Sequence, residues 1–178
     1  MGAGRSAPGT ATVTIQRNTV PSGTYYLLAC ADDTGLVTES IENNNCRASG
    51  TTVRVPGPDL VVSAVSNPPG SVLVGGSFSV TETVLNQGDA GGVASSDRYY
   101  LSLNTTYESG DKLLTGTRSV AALGAGASST GTAPVTVPAT TALGTYYLIV
   151  CADGGGAVQE TNELNNCRAS GTTVGVTN

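Results

Sequence analysis

Histidine and tryptophan are missing from this sequence, and phenylalanine and methionine occur once each. Only 12% of the 178 residues are charged, and the net charge is −5 with no run of basic side chains. The commonest general base and metal ligand is therefore missing, and no neighbour is visible that would activate a serine or threonine nucleophile. We expect a non-enzymatic protein without a resident cofactor. The acidic balance predicts that it does not bind nucleic acid.

Long apolar runs are missing as well. No stretch approaches the roughly 18 apolar residues of a membrane-spanning helix, so we expect no membrane insertion. The first nine residues lack the apolar core of a signal peptide, which predicts a chain that is mature, trimmed or part of a longer one.

The residues that are present favour β-structure. Hydrophobic residues make up 39% of the chain, and 24 glycines and eight prolines punctuate short alternating segments rich in valine and threonine. Seven or eight short strands separated by turns are typical of an Ig- or fibronectin-III-like antiparallel β-sandwich, so we expect an all-β fold. Strands are predicted at residues 59–66, 77–85, 98–103, 112–120, 133–137, 145–152, 157–160 and 167–176.

One predicted strand contains an acidic side chain on its apolar face. Because alternate residues of a strand share a face, Glu82 falls in one row with Val80 and Val84. A β-bulge would turn the carboxylate outwards, and a place at the sandwich edge would let it reach Arg98 or Arg118.

The sequence contains a long internal repeat. Residues 23–55 align without a gap with residues 144–176, at an offset of 121, and 23 of the 33 positions are identical. Residues 9–15 likewise align with 131–137, with one extra residue in the first copy. Nothing ahead of residue 9 corresponds to residues 58–124, so the first copy lacks its N-terminal half.

A period of this length is one whole domain and not a short solenoid unit. We therefore predict two units: residues 1–57 are the C-terminal half of one repeat, and residues 58–178 are a complete repeat. The junction Val55-Pro56-Gly57-Pro58 is expected to be semi-rigid, because proline restricts its own φ and the residue before it.

The four cysteines follow the repeat. Cys30 and Cys46 are 16 positions apart, as are Cys151 and Cys167, and in each pair the first ends a predicted strand and the second begins the next. The repeat selects two disulfides within the copies, Cys30–Cys46 and Cys151–Cys167. Zinc is disfavoured because no Cys-x-x-Cys pair and no histidine occur. Disulfides predict an extracellular location, secreted or on the cell surface.

Several of these segments resemble a known family. The runs PDLVVSAVSNPP, GGSFSVTETVLNQG, GTYYLIVCAD and VQETNELNNCRAS are similar to the CARDB family, the cell-adhesion-related domains found in bacteria. The resemblance covers residues 58 to about 176, and its C-terminal half recurs over about 8–55. It implies an Ig-like sandwich, usually in tandem arrays on surface or secreted proteins, with a role in adhesion or spacing. The missing first half of the first copy departs from the pattern.

The loop between the cysteines is a candidate calcium site, because Ca²⁺ prefers six to eight oxygen ligands. The candidate ligands in the complete unit are Asp153, Glu160, Asn162 and Glu163. The alternative is structural, since Asn and Asp side chains bond to nearby backbone in tight turns. A calcium-dependent or carbohydrate-binding module is accordingly the second functional hypothesis.

A separate motif, Asn104-Thr105-Thr106, is an N-glycosylation sequon. Asn104 is therefore a candidate acceptor for a glycan.

The orphan half defines the partner hypothesis. A half-sandwich leaves a sheet face and strand edges uncovered, which invites pairing with another chain. We predict a structural or adhesive repeat module whose partners are other copies of the chain, in a head-to-tail filament, or neighbouring repeats. A repeat cut at an arbitrary boundary stays open as the alternative.

Overall fold

The computed structural model describes residues 5–16 and 19–178; residues 1–4 and 17–18 of the predicted first unit lie outside this range. The described chain is built from β-strands, and it has no helix long and apolar enough to cross a membrane. The strands are β1 (Gly23–Cys30), β2 (Cys46–Val55), β3 (Leu60–Val65), β4 (Ser71–Leu73), β5 (Ser77–Asn86), β6 (Ser95–Ser102), β7 (Lys112–Leu113), β8 (Arg118–Val120), β9 (Ser128–Thr136), β10 (Gly144–Cys151) and β11 (Cys167–Thr177).

Strands β3 to β11 form the predicted sandwich. One sheet has the order β4-β11-β10-β6-β7, with β8 paired to the start of β6, and the facing sheet has the order β3-β5-β9. Every pairing is antiparallel except that of β4 with β11. The two inner faces enclose one apolar core, which confirms the all-β sandwich. Its fully buried side chains include Leu60, Val80, Val84, Tyr99, Leu101, Val135, Leu148, Val150 and Val174.

The sequence of β5 shows why these segments become strands. From Val80 to Asn86 its inward positions are buried, and its outward positions from Ser77 to Thr83 are small and hydroxylated, as the alternation predicts. On the outer face Thr81 meets Thr132 and Thr83 meets Thr130, each pair with hydroxyl oxygens 2.8 Å apart across β5 and β9. Such cross-strand pairs stabilise a sheet whose outer face is solvated.

The two copies of the repeat fold into the same hairpin. Strands β1 and β2 pair from Gly23–Val55 to Cys30–Cys46, and β10 and β11 pair in the equivalent register, with the irregularity at the same point. The surroundings differ. In the second hairpin β10 also pairs with β6 and β11 with β4, whereas β1 and β2 form a two-stranded sheet whose outer edges are free among the described residues.

Two predicted strands need correction. Residues 112–120 form two short strands, β7 and β8, which both pair with β6. Between them the chain crosses to the facing sheet, where Thr115 pairs with Thr136 of β9. Gly116 lies at this crossing with φ 135°, where a Cβ would lie 2.4 Å from the Pro134 carbonyl oxygen. Residues 157–160 form a loop because the Ala157 amide donates to a carboxylate.

The third difference is a strand that the sequence did not predict. Residues of β4 follow the turn after β3 and pair in parallel with the end of β11. In the first copy, residues 9–15 are not a strand, although their counterparts 131–137 lie largely within β9. The central strand β5, on which β9 pairs, has no counterpart beside the first copy.

Candidate functional site

The hairpin β1–β2 presents an uncovered apolar face. Leu28 is 65% exposed, whereas Ile149 at the same position of the second copy is 0% exposed. Leu27 and Val53 are likewise exposed where Leu148 and Val174 are fully buried. The same side chains are thus surface in one copy and core in the other. We call the exposed counterparts of core residues the open face; it consists of Val13, Ile15, Leu27, Val37 and Val53, whereas Leu28 lies on the opposite side of the hairpin, as Ile149 does.

An apolar surface of this composition is unusual on a finished domain, and patches of this kind mark interaction sites. The free edges of β1 and β2 add unpaired backbone donors and acceptors to it. The open face therefore combines exposed apolar side chains with unpaired strand edges. In the complete module, β3, β5 and β6 cover the equivalent surface.

The loop between the cysteines forms its own hydrogen bonds in both copies. In the complete module the Asp153 carboxylate accepts from the amides of Ala157 (3.0 Å) and Val158 (2.7 Å). In the first copy the Asp32 carboxylate accepts from the amides of Leu36 (2.9 Å) and Val37 (2.8 Å). Asp32 and Asp153 also share a positive φ, 47° and 45°. Asp tolerates this conformation, so the loop shape is encoded locally.

Glu160 connects this loop to the N-terminal half of the module. Its carboxylate accepts a hydrogen bond from the Leu60 amide at the start of β3. It accepts a second hydrogen bond from Asn166 Nδ2, at 2.8 Å. Thr161 strengthens the same junction, since its amide donates to the Pro58 carbonyl at 2.9 Å. The equivalent glutamate, Glu39, is exposed, and its carboxylate accepts no hydrogen bond from the described residues.

Burial raises the pKa of Glu160 to about 7. The nearby carboxylates of Glu163 and Asp153 raise it further, whereas the hydrogen bonds from Leu60 and Asn166 lower it. A buried carboxyl group at this place holds the loop against β3 and gives the contact a pH dependence.

The four calcium candidates have partners in the protein. Asp153 and Glu160 are engaged as described, Glu163 accepts from the Glu160 amide at 2.9 Å, and Asn162 accepts from the Leu164 amide at 3.1 Å. Within residues 5–16 and 19–178, no group of three or more acidic, histidine or cysteine side chains converges in metal-binding geometry. The calcium site stays a prediction.

Asn104 lies in the exposed loop after β6. Its Oδ1 accepts from the Thr106 amide at 2.7 Å, and its Nδ2 lies 3.2 Å from Glu108. The side chain is thus accessible but engaged in an Asx-type turn, and its glycosylation stays a prediction.

Both disulfides occur as the repeat indicated. Cys30 is bonded to Cys46, and Cys151 to Cys167, and no cysteine in the described chain is free. Each pair joins directly opposite positions of its hairpin. The second disulfide is buried on the outer side of the sheet beside Tyr100 and Ile149.

A buried acidic cluster in the module was only partly visible in the sequence. Glu82 points into the core and accepts hydrogen bonds from Tyr99 Oη (2.7 Å) and Arg118 Nε. This confirms Arg118 as its partner, and β5 has no bulge against β9 at Glu82. Arg118 Nη2 also lies 3.0 Å from Asp97 Oδ2, so one guanidinium faces two carboxylates.

Asp97 was missed by sequence reasoning, since nothing in its neighbourhood shows that the β6–β8 pairing brings it opposite Arg118. Burial raises its pKa to about 7, Arg118 lowers it, and Glu82 raises it. Both carboxylates are fully buried, and their contacts with Arg118 link β8 to β5 and β6.

The fold defines the class of this protein: an Ig-like β-sandwich, preceded by a second copy of its last hairpin. The CARDB family profile matches residues 57–170, so the chain belongs to the CARDB family. No curated protein matches the chain in sequence.

Solved structures include similar domains. A CARDB domain from Pyrococcus furiosus in complex with di-metal ions is 26% identical over 68% of this chain and 90% of its own, with a TM-score of 0.46. A domain of a putative cell surface protein from Methanosarcina acetivorans is 23% identical over 67% and 92%, with a TM-score of 0.45. A β-glucosidase from Listeria innocua is 18% identical, with 80% of this chain but 19% of the enzyme covered and a TM-score of 0.38. All three TM-scores are below 0.5, so the family assignment depends on the sequence match.

Proposed function

We propose that this chain is a non-catalytic structural or adhesive module of an extracellular tandem array. In this proposal the half-module, residues 5–55, is completed by the N-terminal half of a neighbouring repeat. The observation that carries the proposal is the exposure of Leu27, Leu28 and Val53, whose counterparts are fully buried in the same register. Two disulfides support an oxidising, extracellular location.

Counting halves favours a neighbouring repeat over another copy of this chain. Each chain has one N-terminal half, residues 58–127, and two C-terminal halves, residues 5–55 and 128–177. If one copy completes the half-module of the next, it must release its own C-terminal half. The number of uncovered halves therefore stays the same in a filament, and no additional apolar area is buried. A partner that brings an unmatched N-terminal half buries additional apolar area, because no C-terminal half has to be released.

The test is a lengthened chain in which a second copy of residues 58–127 is joined to Ser6, so that each C-terminal half has an N-terminal half. We expect hydrogen–deuterium exchange of the β1 and β2 amides to slow by about tenfold or more relative to the native chain, because pairing and burial protect amides.

The matched control is the same lengthened chain with Val84→Asp in the added copy only. Val84 is fully buried in β5, so a charge there prevents the added half from packing. Equal exchange in β1 and β2 of this control and of a lengthened chain whose half-module carries Ala29→Val and Asp33→Gly, the residues of the complete module, would contradict the proposal.

A further inference from the structure

The open face is a near copy of the buried face in the complete module, with differences at two apolar core positions. Ile15 stands where the complete module has Val137. The second difference is larger: Ala29 replaces Val150, which is fully buried in the core. Residues 58–127 packed on the open face would thus leave a gap of two methyl groups at position 29.

A third difference lies in the loop after the strand. Gly154 of the complete module packs on Arg98, and a Cβ at this position would lie 2.7 Å from both the Cβ and the Cγ of Arg98. Real Cβ atoms do not approach so closely. The half-module has Asp33 at the equivalent position.

Arg98 cannot easily avoid this contact. It pairs with Cys151 in the β6–β10 ladder, so the backbone pairing holds its Cα and Cβ. A rotamer change moves only the outer atoms of the side chain, and the overlap with Cβ persists. With Arg98 opposite Asp33, the loop or the strand has to shift.

We propose that the open face packs more tightly against the N-terminal half of a different CARDB repeat than against this chain's own N-terminal half. The preferred repeat has a glycine opposite Cys30, where this chain has Arg98, because only glycine lacks the Cβ that would overlap. This partner also carries a larger side chain against Ala29. The inference rests on the proposed function, which supplies the partner class.

Polar contacts accompany the apolar fit. The Asp32 carboxylate already closes its loop, and the Glu42 carboxylate accepts from the Glu39 amide at 2.8 Å, as Glu163 does from the Glu160 amide. The Glu39 carboxylate is available to accept a hydrogen bond from the first backbone amide of the partner's β3-like strand. In the complete module its counterpart, Glu160, accepts from the Leu60 amide in this way. This contact uses a backbone amide and is therefore independent of the partner's sequence.

The experiment compares three forms of the lengthened chain described above. The first has the native half-module, the second carries Ala29→Val and Asp33→Gly in the half-module, and the third keeps the native half-module and carries Arg98→Gly in the added copy. We expect the second form to show about tenfold or more slower exchange in β1 and β2 than the first, with the third between them.

Three results are decisive. Slower exchange in the second and third forms than in the first supports selectivity at positions 29 and 33. Equal protection in all three forms overturns the selectivity and leaves the proposed function standing. Native-like rapid exchange in all three, including the matched second form, overturns the proposed function itself.

Discussion

A single guanidinium, that of Arg118, holds two buried carboxylates in the complete module. Glu82 and Asp97 are both fully buried, and Arg118 bonds to the first and lies 3.0 Å from the second. Burial of unpaired charge is costly, so the cluster depends on this one side chain.

We expect Arg118→Met to destabilise the module by about 3–5 kcal/mol, because it leaves two carboxyl groups buried without a cation. Urea unfolding followed by circular dichroism measures the loss. The matched control is Arg168→Met, which removes an exposed arginine from β11 and should change stability by about 0.5 kcal/mol or less. Similar losses in both variants would contradict the role of the cluster.

The raised pKa values of Asp97 and Glu160, both about 7, predict the pH dependence of folding. The folded state holds these protons more tightly than the unfolded chain does, so their stabilisation is complete below about pH 4 and is lost as pH rises to about 7. The unfolding free energy of the complete module should therefore be higher at pH 5.5 than at pH 7.5.

Melting curves at these two pH values, recorded for the native chain and for Asp97→Asn and Glu160→Gln, test this dependence. Each variant removes one titrating group, so each should reduce the difference between the two pH values. A native melting temperature that rises from pH 5.5 to 7.5 would refute it.

At the scale of elements, the two disulfide hairpins offer a comparison within one molecule. They have the same register and the same cysteine separation, but only β10–β11 is packed in a core. A crosslink restricts the unfolded chain, and its contribution to module stability depends on which unit contains it.

We expect the double variant Cys151→Ser/Cys167→Ser to lower the unfolding free energy of the complete module by about 3 kcal/mol, the chain-entropy value for a loop of about 15 residues. Urea unfolding measures the change. The equivalent pair, Cys30→Ser/Cys46→Ser, is the control, because it removes the crosslink of the half-module and should leave this transition unchanged. Equal losses in the two double variants would show that the hairpins do not unfold as separate units.

At the scale of the whole molecule, the number of halves predicts how the purified chain behaves. Because completion by another copy leaves as many halves uncovered as before, we expect light scattering to give the mass of one chain across a wide concentration range. A mass that grows with concentration would support the filament and contradict completion by a neighbouring repeat.

Two variants identify the surface if association occurs. Leu27→Asp places a charge on the open face, and Leu164→Asp places one on an exposed loop of the complete module. Loss of association in the first variant alone would assign the contact to the open face.

Local sequence determined the hairpins of this protein. The pairing of Cys30 with Cys46, the Asp32 turn and the register of β1–β2 recur in both copies, although only one copy is packed in a core. Neighbouring residues in the chain make these contacts, so the pattern of strands, turns and cysteines was sufficient to predict them. The sandwich followed as well, because its strands alternate between apolar and hydroxylated residues.

Only the tertiary structure decided which hairpin is core and which is surface. Leu27 and Leu148 have the same local sequence, and their exposure differs because β3 to β8 cover only the second. The position of Asp97 beside Arg118, the parallel pairing of β4 and the division of residues 112–120 likewise depend on contacts between segments distant in sequence. Burial and charge pairing are properties of the assembled sheets, whereas periodicity in the chain specifies the strands from which they are built.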